Sequence, residues 1–117
     1  MTSKLEKQIE LIFLLHLAEG RTELIEFYSE ITDGPVYVLL DGWPDYTIRC
    51  YNSETMYGKN EYYIPIKKSK EIISDIEKNN LDESQIYMIY GRDPFGLNNI
   101  DDDVILEIIK GIKKGIR

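Results

Sequence analysis

The chain has 117 residues, of which 43% are hydrophobic and 30% charged; that balance fits one globular domain large enough for a real core. The formal net charge is −7, which speaks against nucleic-acid binding, since phosphate contacts need clustered Lys and Arg, and against docking on an anionic membrane. The single cysteine, Cys50, excludes an intramolecular disulfide and points to a reducing, cytoplasmic setting.

No repeat or linker divides the sequence, so residues 1–117 read as a single α+β domain. The spacing predicts a first helix over Lys4 to Glu19, with Ser3 as cap and Glu6 three residues on. Leu5, Ile9, Ile12 and Leu15 form its apolar stripe, and Gly20 stops it. The apolar run Leu11 to Ala18 within it is too short to span a bilayer, and Glu10 and His16 interrupt it. A second helix is expected from Thr22, on Leu24, Ile25, Phe27, Tyr28 and Ile31, ending at Asp33-Gly34-Pro35.

The period then changes. Val36-Tyr37-Val38-Leu39-Leu40 reads as a strand buried on both faces. Asp41-Gly42-Trp43-Pro44-Asp45 is a turn cluster, and Tyr46 to Tyr51 alternates as a half-buried strand. Asn52 to Asn60 is a polar loop, followed by a third strand over Glu61 to Ile66. Ser69 is expected to cap a crossover helix from Lys70 to Asn79. Ile86 to Tyr90 reads as a fourth strand, Gly91 to Asn99 as a loop, and Asp101 to Lys114 as the last helix, acidic at its start and basic at its end. The resulting expectation is a small mixed sheet of about four strands, with two N-terminal helices, one crossover helix and a C-terminal helix.

Phe27-Tyr28, followed by Val36-Tyr37-Val38-Leu39, resembles the start of the SseB N-terminal domain family, where a short helix ending near a Phe-Tyr pair leads into a strand. Gly58, Ile64-Pro65-Ile66 and Ser69 are similar to the family's strand-to-helix segment, and Ile86 to Asn99 resembles the strand and Asn-containing loop before its last helix. The chain departs from the family pattern at Lys67-Lys68, where the family has phenylalanine and threonine, and at Asn98-Asn99, where it has asparagine-proline. The resemblance implies an α+β fold and a small bacterial protein; some such domains look like immunity or accessory proteins of toxin and secretion systems. It implies no catalytic residues.

The residues themselves offer little catalytic chemistry. His16, the one histidine, sits within an apolar helix, and Cys50 alternates inward beside Ile48, where a thiol is inert. Asp101-Asp102-Asp103 points in three directions on a helix and suits a helix N-terminus better than a metal. Gly91 to Gly96 lacks the lysine of a phosphate-binding loop. No catalytic, cofactor or metal site is therefore expected. Nine tyrosines and one tryptophan are more telling, because these side chains anchor interfaces. Asp41, Trp43, Asp45, Tyr46, Tyr57 and Tyr62 are the candidate partner-binding residues. Acidic blocks over residues 19–45 and 71–103 fit steering of a basic protein partner. The expected function is a non-enzymatic binding protein of the immunity or accessory type. A structural or adaptor homodimer and a small-molecule binder are the alternatives.

Overall fold

Helix α1 begins where the Ser3 side chain accepts the Glu6 amide at 3.1 Å, and it runs over Lys4–Glu19. The computed structural model describes residues 3–51 and 58–116. Four strands follow α1: β1 Leu24–Ser29, β2 Gly34–Leu39, β3 Asp45–Tyr51 and β4 Gly58–Pro65. They form one sheet in the order β1-β2-β3-β4, each neighbour antiparallel. The helices α2 Ile66–Asn79, α3 Glu83–Tyr90 and α4 Asp102–Gly115 complete the chain.

The architecture is α+β, and it corrects several details of the sequence reading. The sheet is a plain antiparallel meander, not a mixed sheet joined by a crossover helix. The segment read as a second helix is β1 and its hairpin turn. Its apolar residues match a helical stripe, yet Ile25 and Ser29 face inward while Leu24, Glu26 and Tyr28 face outward. Both periods fit these residues, and pairing with β2 selects period two. Asp33-Gly34-Pro35 is accordingly a hairpin exit: Asp33 takes the left-handed backbone at φ 50°, which aspartate tolerates.

The segment read as a fourth strand is α3. Asp82 Oδ1 accepts the Gln85 amide at 2.8 Å, and Gln85 Oε1 accepts the Asp82 amide at 2.9 Å. This reciprocal capping box nucleates a helix across an aromatic and β-branched run that local propensity assigns to a strand. Ser69 is not a cap either; it lies inside the first turns of α2, buried, and Pro65 occupies the N-cap position. At α4 the Asp101 side chain makes no capping hydrogen bond. The acids there, Asp102 and Asp103, and the terminal Lys113 and Lys114 complement the helix dipole.

The helices lie on one face of the sheet. Helix α4 crosses β1, with Gly111 against Phe27 and Gly115 against Ile25. Helix α1 packs along α4 and reaches β3 through His16 and Glu19, which meet Tyr46. Helix α2 continues directly from β4. Between the layers lies the core, with Leu11, Ile12 and Leu15 of α1, Val36, Val38 and Ile48 of the sheet, and the inward isoleucines of α4. The loop before α4 contributes Phe95, Leu97 and Ile100. Asp93 organises that loop by accepting the Leu97 and Asn98 amides, and Gln8 ties it to α1 with a 2.8 Å bond to Asn98.

Gly111 allows α4 its close approach, because a Cβ there would overlap the Phe27 ring. Gly111→Ala is expected to lower stability by about 1–3 kcal/mol through overpacking, outweighing the ~1 kcal/mol helix-propensity gain of alanine. Urea denaturation measures this, and Phe27→Leu in the Gly111→Ala background should restore part of the loss.

Candidate functional site

With the helices on one side, no described segment covers the other face of the sheet. Strand alternation places Leu24, Glu26 and Tyr28 of β1, Pro35, Tyr37 and Leu39 of β2, Asp45, Thr47, Arg49 and Tyr51 of β3, and Glu61 and Tyr63 of β4 on this open face. The register aligns them in rows. One row runs Leu24, Leu39, Thr47, Tyr63 and is largely apolar. The next runs Glu26, Tyr37, Arg49, Glu61 and is charged at both ends. The rings of Tyr37 and Tyr51 meet edge to face, 5.2 Å between centroids, an arrangement aromatic pairs favour. Arg49 Nε lies 3.6 Å from Glu61 Oε1, and the Tyr63 hydroxyl donates to Glu61 Oε2 at 2.6 Å. A groove of about 310 Å³ lies over β1, β2 and β3. Its lining comprises Leu24 and Leu39 at one end, Pro35 further along β2, Tyr37 between them, and Thr47, Arg49 and Tyr51 of β3.

The turn between β2 and β3 borders this face. Gly42 sits against Leu39 and Thr47, where a Cβ would come within 3.4 Å of Leu39 Cδ2. The turn thus curls toward the open side, and next to Gly42 stands Trp43, 87% exposed. Leaving an indole in water forgoes roughly 1.5–3 kcal/mol of burial available to a large apolar side chain. Leu24, Tyr28 and Tyr63 on the open face are each at least half exposed as well, Leu24 in the row nearest the turn and Tyr28 at the far end of β1. Scattered single apolar residues are ordinary on a surface, but a contiguous set on a rigid sheet is the mark of an interaction site.

Of the six residues expected to meet a partner, Asp41 and Trp43 are exposed in this turn, and Asp45 begins β3 on the open side, half-buried. Tyr46 is a correction. It is wholly buried on the helix-covered face, where its hydroxyl donates to Glu19 Oε2 at 2.6 Å. Tyr62 also points to the helix side and packs, half-buried, against the core. Tyr57 lies outside the described residues. Sequence reading missed Leu24, Glu26 and Tyr28, because β1 was read as a helix. It missed Tyr37 and Leu39 because an all-apolar strand implies burial on both faces, whereas Leu39 is exposed. The Leu-Glu-Tyr alternation at 24, 26 and 28 was the available signal.

On the covered side, a polar cluster joins α1, β3 and α2. His16 Nε2 lies 3.2 Å from Ser69 Oγ, and Lys70 Nζ lies 3.2 Å from Glu19 Oε2. The Ser69 hydroxyl donates to the Ile66 carbonyl at 3.0 Å, so its proton is directed into the helix and away from the imidazole. Ser69 is 2% exposed. This is the geometry of a helix staple, since a nucleophile needs its proton on the base and an open approach. Cys50 is buried, and burial raises its thiol pKa, which keeps it protonated. Among the described residues no group of three or more His, Cys, Asp or Glu is placed to hold a metal ion, and no helix is long and apolar enough to cross a membrane.

No family model matches the chain, and no curated protein or solved structure is detectably similar to it. The likeness to the SseB N-terminal domain rests on its own short motifs.

The polar cluster makes stability depend on pH. Burial, and then the Lys70 charge, hold His16 below its ordinary value of 6.5 against the opposite pull of Glu19. The unfolded chain therefore takes up this proton first, so stability is complete above pH 6.5 and declines as pH falls through that value. Burial pushes Glu19 up, but the hydrogen bonds from Tyr46 and Lys70 outweigh it and hold the carboxyl below its ordinary 4.5. Its contribution is present above pH 4.5 and is lost further into acid. Urea midpoints across this range should fall in two stages, and His16→Gln should abolish the first while leaving the second. Tyr46→Phe, which strips a hydrogen bond from a charged acceptor, is expected to cost about 1.5–3 kcal/mol at neutral pH.

Proposed function

We propose that the protein is a non-catalytic binding module of the cytoplasm, of the immunity or accessory type, that engages a basic bacterial toxin or secretion-system protein through the open face of its sheet. The sheet face that no described segment covers, with Trp43 standing almost fully exposed at its margin, carries this reading. An exposed indole beside a rigid aromatic sheet is what an interface anchor requires: large area, little rotamer entropy to lose and a polar edge. The net charge of −7 supports attraction of a basic partner and repels a second copy of the same chain. The groove on the same face is shallow and open, which favours a macromolecule over an enclosed small ligand.

The test starts from affinity capture in lysate of cells that carry the gene, followed by titration of the purified partner. Binding should weaken steeply between low and high salt. Trp43→Ala should weaken it by about 2 kcal/mol, or roughly 30-fold, while moving the urea midpoint by no more than a surface change does, about 0.5 kcal/mol. A partner whose footprint by hydrogen exchange falls on the helices, with the sheet face unprotected, overturns the reading.

A further inference from the structure

We infer that the groove over β1, β2 and β3 receives one large apolar side chain of the partner, aromatic or branched, flanked by lysine or arginine. The inference rests on the binding reading above and specifies the chemistry of what is bound. Three observations support it. The first is size. At about 310 Å³ the groove lies at the lower limit of the ~300–1,000 Å³ that small-molecule sites occupy, and it is open along one side; it suits a side chain projecting from a folded surface. The second is its lining. Leu24, Leu39 and Pro35 contribute aliphatic carbon, and the edge-to-face pair Tyr37 and Tyr51 contributes aromatic faces among them, so an inserted ring or branched chain meets carbon along the groove.

The third is charge. Glu26 lies directly across the strand pair from Tyr37, and on the far side the same row ends at Glu61. Asp45 continues β3 toward the turn, and Asp41 stands in the turn itself. Against these, Arg49 is the one base among the described side chains of the face, and Glu61 already engages it at 3.6 Å. The charges around the groove are therefore net acidic, while much of its lining is carbon from Leu24, Pro35, Leu39 and the tyrosines. A residue flanked by cations satisfies both. A second copy of this chain does not, because face-to-face stacking would oppose acid to acid.

The experiment uses the full chain and two blocked tripeptides, Lys-Trp-Lys and Glu-Trp-Glu, titrated at low salt and followed by amide chemical shifts. The basic peptide should move the amides of Tyr37, Leu39 and Thr47 and bind about tenfold more tightly than the acidic one, the worth of two exposed charge pairs. Glu26→Lys should shrink that ratio by about threefold, or one such pair, and Leu39→Glu should abolish the shifts while the rest of the spectrum stays native. Equal affinity for the two peptides, shifts confined to the helix side, or a concentration-dependent dimer that Leu39→Glu dissociates each overturns the inference. The outcome separates from that of the binding reading. If the peptides leave the groove unmoved while the captured partner still protects the sheet face from exchange, the occupant is wrong and the binding face stands. If the partner protects only the helices, the face itself is wrong.

Discussion

Three helices set side by side against one face of a four-stranded meander govern the rest of this structure. A sheet this small can bury one face completely only if the helices touch each other as well as the strands. Here α1 and α4 do so along their length, while α4 settles on β1 through Gly111 and Gly115. The core gathers its isoleucines and leucines into this one interlayer space. Among the described residues no element covers the opposite face, and that face keeps leucines and tyrosines all the same. The economy of the fold and its open face thus have the same origin.

Polar groups hold the covered side in register where hydrophobic contact alone is indifferent to small slides. Tyr46 reaches through the layer to Glu19, Glu19 meets Lys70, and His16 meets Ser69, so one cluster fixes α1, β3 and α2 together. Each bond is modest, on the order of 1 kcal/mol for a neutral pair and about 1.5–3 kcal/mol to a charged acceptor such as Glu19. Their value lies in direction, since a buried tyrosine hydroxyl without its acceptor is more costly than the bond is strong. A tyrosine placed this way serves the interior.

Much of the chain could be read from its residues. Helix α1 and its Ser3 cap, the body of α4 with its charged ends, and the strands β2, β3 and β4 all follow from local period and turn chemistry. The failures have a common physical cause: short apolar segments satisfy two periods at once, and a distant partner decides. Leu24 to Ile31 became a strand because β2 offered it a ladder, and Ile86 to Tyr90 became a helix because Asp82 and Gln85 capped it. The candidate site was legible in part. Trp43 with its flanking acids was visible as a turn cluster, but the face beside it appears only once β1 is recognised as a strand. Which of two neighbouring tyrosines looks outward depends on strand parity: Tyr62 faces the helices and Tyr63 the open side.

The meander has a further consequence for how the chain reaches this state. Every strand pairs with its neighbour in sequence, so the sheet assembles by short loop closures that cost little entropy. The longest closure in the molecule is between the first helix and the last, joined by contacts such as Lys113 to Glu10 at 2.9 Å. Packing of α1 on α4 and of α4 on β1 both join the ends of the chain, at loop-closure costs that differ little, and together they complete the core. The hairpins alone would expose both of their faces; with the helices packed on one of them, closure of the chain's ends is what gives the sheet a distinct inside and outside.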